Sequence, residues 1–410
     1  MPADNARPGV GGRAYRRYVA AQVISLFGTT MRLAALWWLV LRTGHGSAFD
    51  LSAVEAAQCL PLLLLSRRGG SVVARLGSAR SLALTQGLLA AVTLAIAIPL
   101  LAGWITVWYL MAASLAIGCI QCADLPGRQM FMLDLLGEDE LRRGASLYSA
   151  ILGLSRIAGP AVAGAIIALA GEGPVFVIDA ASFLVVVAVV WGLRGEAVHA
   201  TRAGPQAAPG TRRFRWVLDL PPGIQLCAAL AVLIGGLAYQ FAVVNPLMAT
   251  RVFHLGAVGY GLLATFLAIG GIAANYWSSR RGSPRLREVV AWAGLYGAVD
   301  IAASVAPAAW AYYAAMIAIG GLLALFTSSC GVYVQQHASP EQRPHAVSAY
   351  NAGFIGFVPF GAFVVAAIAA AAGPRWALAG PGLAVLAAVC AAVLIRQRSR
   401  RAAPARTSPA

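Results

Sequence analysis

The sequence predicts an all-α polytopic membrane protein of twelve transmembrane helices in two six-helix bundles, with both termini in the cytoplasm. Three observations point there. The 410 residues are 60% hydrophobic and 11% charged, with a mean hydropathy of +0.74, whereas a soluble domain is about half apolar and about a quarter charged. Apolar runs of bilayer-spanning length follow one another almost without pause. One long polar stretch, at 194–221, divides them into six and six. A conventional soluble enzyme and a disordered chain are both excluded.

Reading apolar runs between polar breaks gives spans at roughly 18–41, 51–74, 80–101, 104–130, 145–170 and 174–193 in the first half. The second half gives roughly 222–248, 258–279, 287–306, 309–334, 346–371 and 376–395. The chain is thereby divided into an N-tail (1–17), a first bundle (18–193), a basic linker (194–221), a second bundle (222–395) and a basic C-tail (396–410). The N-tail is too polar to begin a cleaved signal peptide, so the first helix is expected to stay as an anchor.

Charge sets the orientation. All 31 basic residues are Arg, against 15 acids, for a net charge of +16. Alternate loops and both tails hold 26 of the 31. Among them are Arg7, Arg13, Arg16 and Arg17, the pair Arg75 and Arg80, and Arg280, Arg281 and Arg285. The opposite side shows Arg42, Arg251 and Arg375, leaving Arg32 and Arg156 inside helices. Cytoplasmic loops collect Arg, which places the N- and C-termini inside. The arginines lie between apolar runs and not on an interleaved basic and aromatic face, so no nucleic acid partner is expected.

The halves echo each other. Arg75-Leu76-Gly77-Ser78-Ala79-Arg80 recurs as Arg280-Arg281-Gly282-Ser283-Pro284-Arg285, and Glu140, Arg142 and Tyr148 recur as Glu341, Arg343 and Tyr350. Parallel repeats of six helices are a transporter architecture.

Polar residues inside lipid-crossing helices are costly and usually face a cavity or a partner. Gln22, Ser25, Thr29 and Arg32 share one face of the first span. With Gln58, Tyr239, Gln240 and Asn245 they are the candidate substrate cavity; bundle-stabilising hydrogen bonds are the alternative. Asp124 and Arg128, four apart, can pair on one helix face and form a candidate gate with Arg75 and Arg80. Arg156 sits three residues before Gly159-Pro160, which should loosen its helix. Glu55, Asp179 and Asp300 are candidate carriers of a coupling proton. The six cysteines lie in apolar segments, and the one C-x-x-C pair, Cys119 and Cys122, supplies too few ligands for a metal site. No metal or cofactor is expected, and no phosphate-binding loop for ATP hydrolysis appears.

These residues resemble the major facilitator superfamily, in the branch of enterobactin-type siderophore exporters and macrolide-type efflux proteins. The resemblance runs from about Tyr15 to Arg396. It is carried by Ala123-Asp124-Leu125-Pro126-Gly127-Arg128-Gln129, by Arg156-Ile157-Ala158-Gly159-Pro160-Ala161-Val162-Ala163-Gly164, and by Asp179-Ala180-Ala181-Ser182-Phe183. In the second half it is carried by Tyr239-Gln240 with Pro246, by Arg251-Val252-Phe253-His254-Leu255-Gly256-Ala257, and by Gly353, Gly356, Pro359 and Gly361.

The resemblance implies alternating access and proton-driven export. It implies a small amphipathic cargo such as a siderophore, an antibiotic or another secondary metabolite, and a monomer in the bacterial inner membrane. Import of such a cargo, or a non-transporting sensor, are the alternatives. Three positions depart from the family pattern: Ala74 stands for a loop acid, Thr29 for an acid after Gly28, and Pro344-His345 for Gly-Arg. Closure is then expected to lean on Asp124 and Arg128, and Arg32 lacks its familiar neighbour.

Overall fold

The computed structural model describes residues 12–43, 47–193, 220–339 and 342–402, and all of their regular structure is helical. The expected linker as far as 219, residues 1–11 of the N-tail and 403–410 of the C-tail lie outside the described residues.

Thirteen α-helices follow in order. They are α1 (Arg13–Thr43), α2 (Ala48–Leu76), α3 (Ser78–Leu101), α4 (Val107–Ala170), α5 (Gly173–Gly192), α6 (Pro222–Leu233) and α7 (Phe241–Leu247). Then come α8 (Ala257–Ser279), α9 (Leu286–Ser304), α10 (Ala309–His337), α11 (Arg343–Gly356), α12 (Val358–Ala372) and α13 (Pro374–Ala402). Eleven segments of the described chain are long and apolar enough to cross a bilayer. The stretch expected as the ninth span is α9, 19 residues with Arg287, Glu288 and Asp300, and it is not among the eleven.

By contact the chain divides into two compact units. One is drawn from Met1–Gly210 with Phe241–Ala268, the other from Thr211–Gln240 with Ile269–Ala410. Tight punctuation separates neighbouring helices. Gly77 (φ 78°) turns α2 into α3, Gly171 (φ 80°) ends α4, and Gly373 (φ 93°) divides α12 from α13. Each is a left-handed position that costs glycine little. Ser47 and Thr106 cap α2 and α4 by accepting from the backbone N–H of Asp50 and Tyr109.

In the first unit, α1, α3, α4 and α5 close around a core at one end of the bundle. Tyr15, Tyr18, Leu82, Phe131, Leu135 and Val186 fill it, with the Tyr18 ring edge-on to Phe131 at 5.1 Å. As the sequence expects, spans 4 and 5 are separate: the stretch labelled α4 is two helices that meet at Gly137 (φ 70°, ψ 176°), with spans at Val107–Gly137 and Arg143–Ala170. The break falls at the head of the polar run Gly137-Glu138-Asp139-Glu140, and only glycine readily takes that backbone.

In the second unit the expected seventh and eleventh spans are each interrupted. After α6 the chain makes a π-helical turn at Ile234–Ala238 and leaves helix at Tyr239-Gln240 before α7. The eleventh breaks at Phe357, between α11 and α12. Glycines explain the first interruption. A Cβ on Gly235 would strike the Phe354 backbone, one on Gly236 the Phe357 side chain, and one on Gly361 the Gly236 carbonyl. Backbones this close leave no room for regular side chains. Elsewhere in this unit Gly297 and Gly382 bring α9 against α13. Cys330 Sγ lies 3.9 Å from the Cys227 carbonyl, and Arg375 closes the end of α9 on the Ser304 and Ala306 carbonyls at 2.9 and 3.1 Å.

Replacing Gly137 by Ala should cost about 1–3 kcal/mol, because an L side chain is strained at this backbone. The purified variant should melt at a lower temperature than the wild type, since Gly137 has positive φ; an unchanged melting curve would show that this backbone carries no strain for an L side chain.

Candidate functional site

The polar face predicted on α1 exists, and it is turned into the first unit. Gln22, Ser25 and Arg32 are buried at 1%, 0% and 0% exposure, and Thr29 is half-buried. Arg32 Nε lies 2.8 Å from Asp179 Oδ2 of α5, both side chains fully buried. Arg32 and Ser25 therefore line no open cavity in this conformation. The contact is an ion pair without an aligned hydrogen bond: Arg32 Nη1 and Nη2 and Asp179 Oδ1 have no hydrogen-bond partner among the described residues.

Gly28, one turn before Arg32, makes the approach possible. A Cβ there would lie 2.7 Å from Ser182 Oγ and 2.8 Å from Asp179 Oδ1. The Gly28-Thr29 sequence and the acid on α5 thus belong to one device. The missing neighbour of Arg32 is supplied from another helix.

Asp124 and Arg128 pair as their spacing predicts, Nε to Oδ2 at 2.7 Å, and both are buried. Their network extends further than the spacing shows. Arg128 Nη1 donates to Gln22 Oε1 of α1 at 2.5 Å. Asp124 Oδ1 accepts from Thr85 Oγ1 at 2.9 Å and from Gln86 Nε2 at 2.6 Å, both on α3. One charge pair therefore ties α1, α3 and α4. Arg75 and Arg80 stand apart from it, exposed in the last turn of α2 and the first turn of α3. A third link, Arg42 to Glu172 at 2.5 Å, joins the far end of α1 to the start of α5.

The remaining candidates fall in several places. On α2, Glu55 and Gln58 are half-buried, and Glu55 Oε2 and Gln58 Oε1 have no hydrogen-bond partner among the described residues. Asn245 is buried in α7. In the second unit Tyr239 is 38% exposed, its ring 5.9 Å from Phe354. Gln240 is buried, and its Nε2 donates to the Gly236 carbonyl at 2.8 Å and the Val358 carbonyl at 3.2 Å. It therefore ties the two helix interruptions together. Asp300 is fully buried beside Tyr296 and Tyr312. Arg156 is exposed on α4.

Cys119 is exposed, while Cys122 is buried with its Sγ 3.3 Å from the Pro61 and Gly118 carbonyls. No cluster of three or more metal-ligating side chains occurs among the described residues. Sequence reasoning missed Thr85 and Gln86 as members of the Asp124 network. Their signal was two adjacent polar residues inside an apolar run.

Apolar spans with charge pairs buried between them define a polytopic membrane protein of the transporter type. The chain belongs to the transmembrane secretion effector family, whose model it matches over residues 11–409, within the major facilitator superfamily. It is 24% identical over 265 residues to the staphyloferrin A transporter of Staphylococcus aureus, covering 63% of this chain and 65% of that protein. It is 31% identical over 180 residues to the multidrug efflux pump Tap of Mycolicibacterium fortuitum, covering 42% and 43%. The chain spans less than two thirds of the length of either relative.

Among solved structures it is similar to the nucleoside transporter NupG, with TM-score 0.70, 15% identity and 92% and 99% of the two chains covered. A bacterial homologue of ferroportin in an inward-facing state gives TM-score 0.70, 12% identity and coverage of 92% and 98%. These likenesses show the fold, and the protein is a multi-pass bacterial membrane protein.

Arg32→Ala should destabilise the protein by about 3–5 kcal/mol, because it leaves the Asp179 carboxylate buried without its counter-charge. The double variant Arg32→Leu/Asp179→Leu should recover much of that loss. Melting curves of the wild type, Arg32→Leu, Asp179→Leu and the double variant form the cycle; additive losses would show that the two side chains do not interact.

Proposed function

We propose that the protein is a secondary exporter of a small amphipathic molecule, working by alternating access in exchange for protons, with both termini in the cytoplasm. The repeats at 18–193 and 222–395 are the moving bodies of this reading. Family membership over residues 11–409 supports it, as does likeness to one siderophore transporter and one multidrug efflux pump. The observation that carries it is the Arg32–Asp179 pair, wholly shielded inside the bundle.

A proton delivered to Asp179 cancels the charge that balances Arg32. The uncompensated guanidinium then favours any rearrangement that brings water or an anion to it. Proton uptake and a change of shape are thereby linked in one pair. Asp300 and Glu55 are further places where a proton can be held. A buried carboxyl at Asp300 exchanges its proton only when the helices around it open. The Asp124–Arg128 network serves as the gate of this cycle, re-forming each time that end closes.

Proton flux in inside-out vesicles holding a pre-formed pH gradient tests the reading. Addition of a panel of siderophores and antibiotics should collapse the gradient with one chemical class, only in vesicles containing the protein. Asp179→Asn should lose that response. Correctly inserted protein that leaves the gradient intact across the panel would remove proton exchange as the mechanism.

A further inference from the structure

Arg156 is a cation in the middle of a membrane span with no ion-pair partner among the described residues. It stands 13 residues from Arg143 and 14 from Ala170, the ends of its span. No hydrogen bond or ion pair engages it among the described residues, whereas Arg32 and Arg128, the other span-embedded arginines of α1 and α4, are both paired. At about 30 Å of hydrocarbon, a central residue is about 15 Å from either interface, too far for an arginine to reach by stretching along the helix.

The contacts of α4 show where this side chain points. Thr30 of α1 donates to the Ser155 carbonyl at 2.9 Å, and Thr265 of α8 donates to the Ile157 carbonyl at 2.6 Å. The residues immediately before and after Arg156 are thus held by two different helices. A Cβ on Gly159 would strike Thr30, and one on Gly164 would lie 2.6 Å from the Ala257 carbonyl of α8. At about 100° per residue, α1 covers one flank of Arg156 and α8 the other.

The opposite face of α4 carries Leu147, Leu154 and Leu169, 38%, 56% and 88% exposed, which suits lipid. Arg156 is therefore exposed on the inner face, in a cleft of the first unit between α1 and α8. Neither α1 nor α8 contains an acidic residue.

We infer that Arg156 receives an anionic group of the cargo, a carboxylate or similar oxyanion, in this cleft. The inference rests on the transport reading above and assigns its cargo a charge. A guanidinium without a carboxylate partner binds oxyanions through two parallel N–H donors, which gives both strength and orientation. Thr29, half-buried on α1, is a neutral residue on one of the two flanking helices. Since neither flanking helix supplies an acid, Arg156 favours an anionic over a cationic cargo beside it.

Two measurements test this. Arg156→Cys and Leu154→Cys, in native membranes, are treated with a charged, membrane-impermeant methanethiosulfonate and compared with wild-type labelling. Cys at 156 should react and Cys at 154 should not; equal protection of both would overturn the cleft. In detergent, binding of carboxyfluorescein and of a cationic rhodamine ester of similar size is then measured. Carboxyfluorescein should bind the wild type, should weaken about 10-fold or more in Arg156→Gln, and should weaken less in Arg156→Lys, which keeps the charge without the paired donors. Each variant is first checked for monodisperse elution.

Binding that is absent in the wild type, or equal in the wild type and Arg156→Gln, would overturn the anion assignment. Competitive displacement by phosphatidylglycerol would assign the site to lipid phosphate and likewise overturn it. Anion binding by a wild type that moves neither dye across vesicles would sink the transport reading while keeping the cation site.

Discussion

The Arg32–Asp179 pair is the constraint around which the first unit is arranged. Two full charges removed from water cost several kcal/mol each, and only close mutual approach offsets this. Such an approach fixes the distance between α1 and α5, and it requires Gly28 at the crossing because any side chain there would strike Asp179 and Ser182. The other links of α1 follow its axis. Gln22, Arg32 and Arg42 reach Arg128, Asp179 and Glu172 in turn, at intervals of ten residues, or about 15 Å. The helix is thus fastened at both ends and in the middle, and its polar residues serve the bundle's interior.

The second unit is held differently. Its buried polar side chains, among the described residues, are Gln240, Asp300, Ser304 and Ser329. Where the first unit uses charge pairs, this one uses glycines that let backbones touch and one amide, Gln240, that bridges the Gly236 and Val358 carbonyls. Two interrupted helices meet there, and backbone groups freed by the breaks are satisfied by a side chain. Bending at such a place disturbs fewer regular hydrogen bonds than bending an unbroken helix.

Much of the fold was legible in the sequence, because apolar runs of bilayer length and a single polar linker admit few arrangements. The pair Asp124 and Arg128 was legible too, since a spacing of four on one helix is a local geometric fact. What escaped were the features set by a neighbouring helix. The breaks at Tyr239-Gln240 and Phe357 depend on which backbones press together, which no window of sequence reports. Arg32 and Asp179 were each singled out, one for cargo and one for protons, yet 147 residues separate them. The signal was present: α5 contains one charged residue, and it is opposite in sign to the arginine at the middle of α1.

That separation has a consequence for how the chain is made. Arg32 leaves the ribosome 147 residues ahead of Asp179, an interval of about 7–30 s at ordinary rates of synthesis. Throughout it, α1 must sit in or beside the translocation channel with a guanidinium that costs about 2.5–3.5 kcal/mol to insert. Its countercharge arrives only with the last helix of the first repeat. Until α5 is made, this half therefore carries an arginine without its countercharge, a poor fit to lipid.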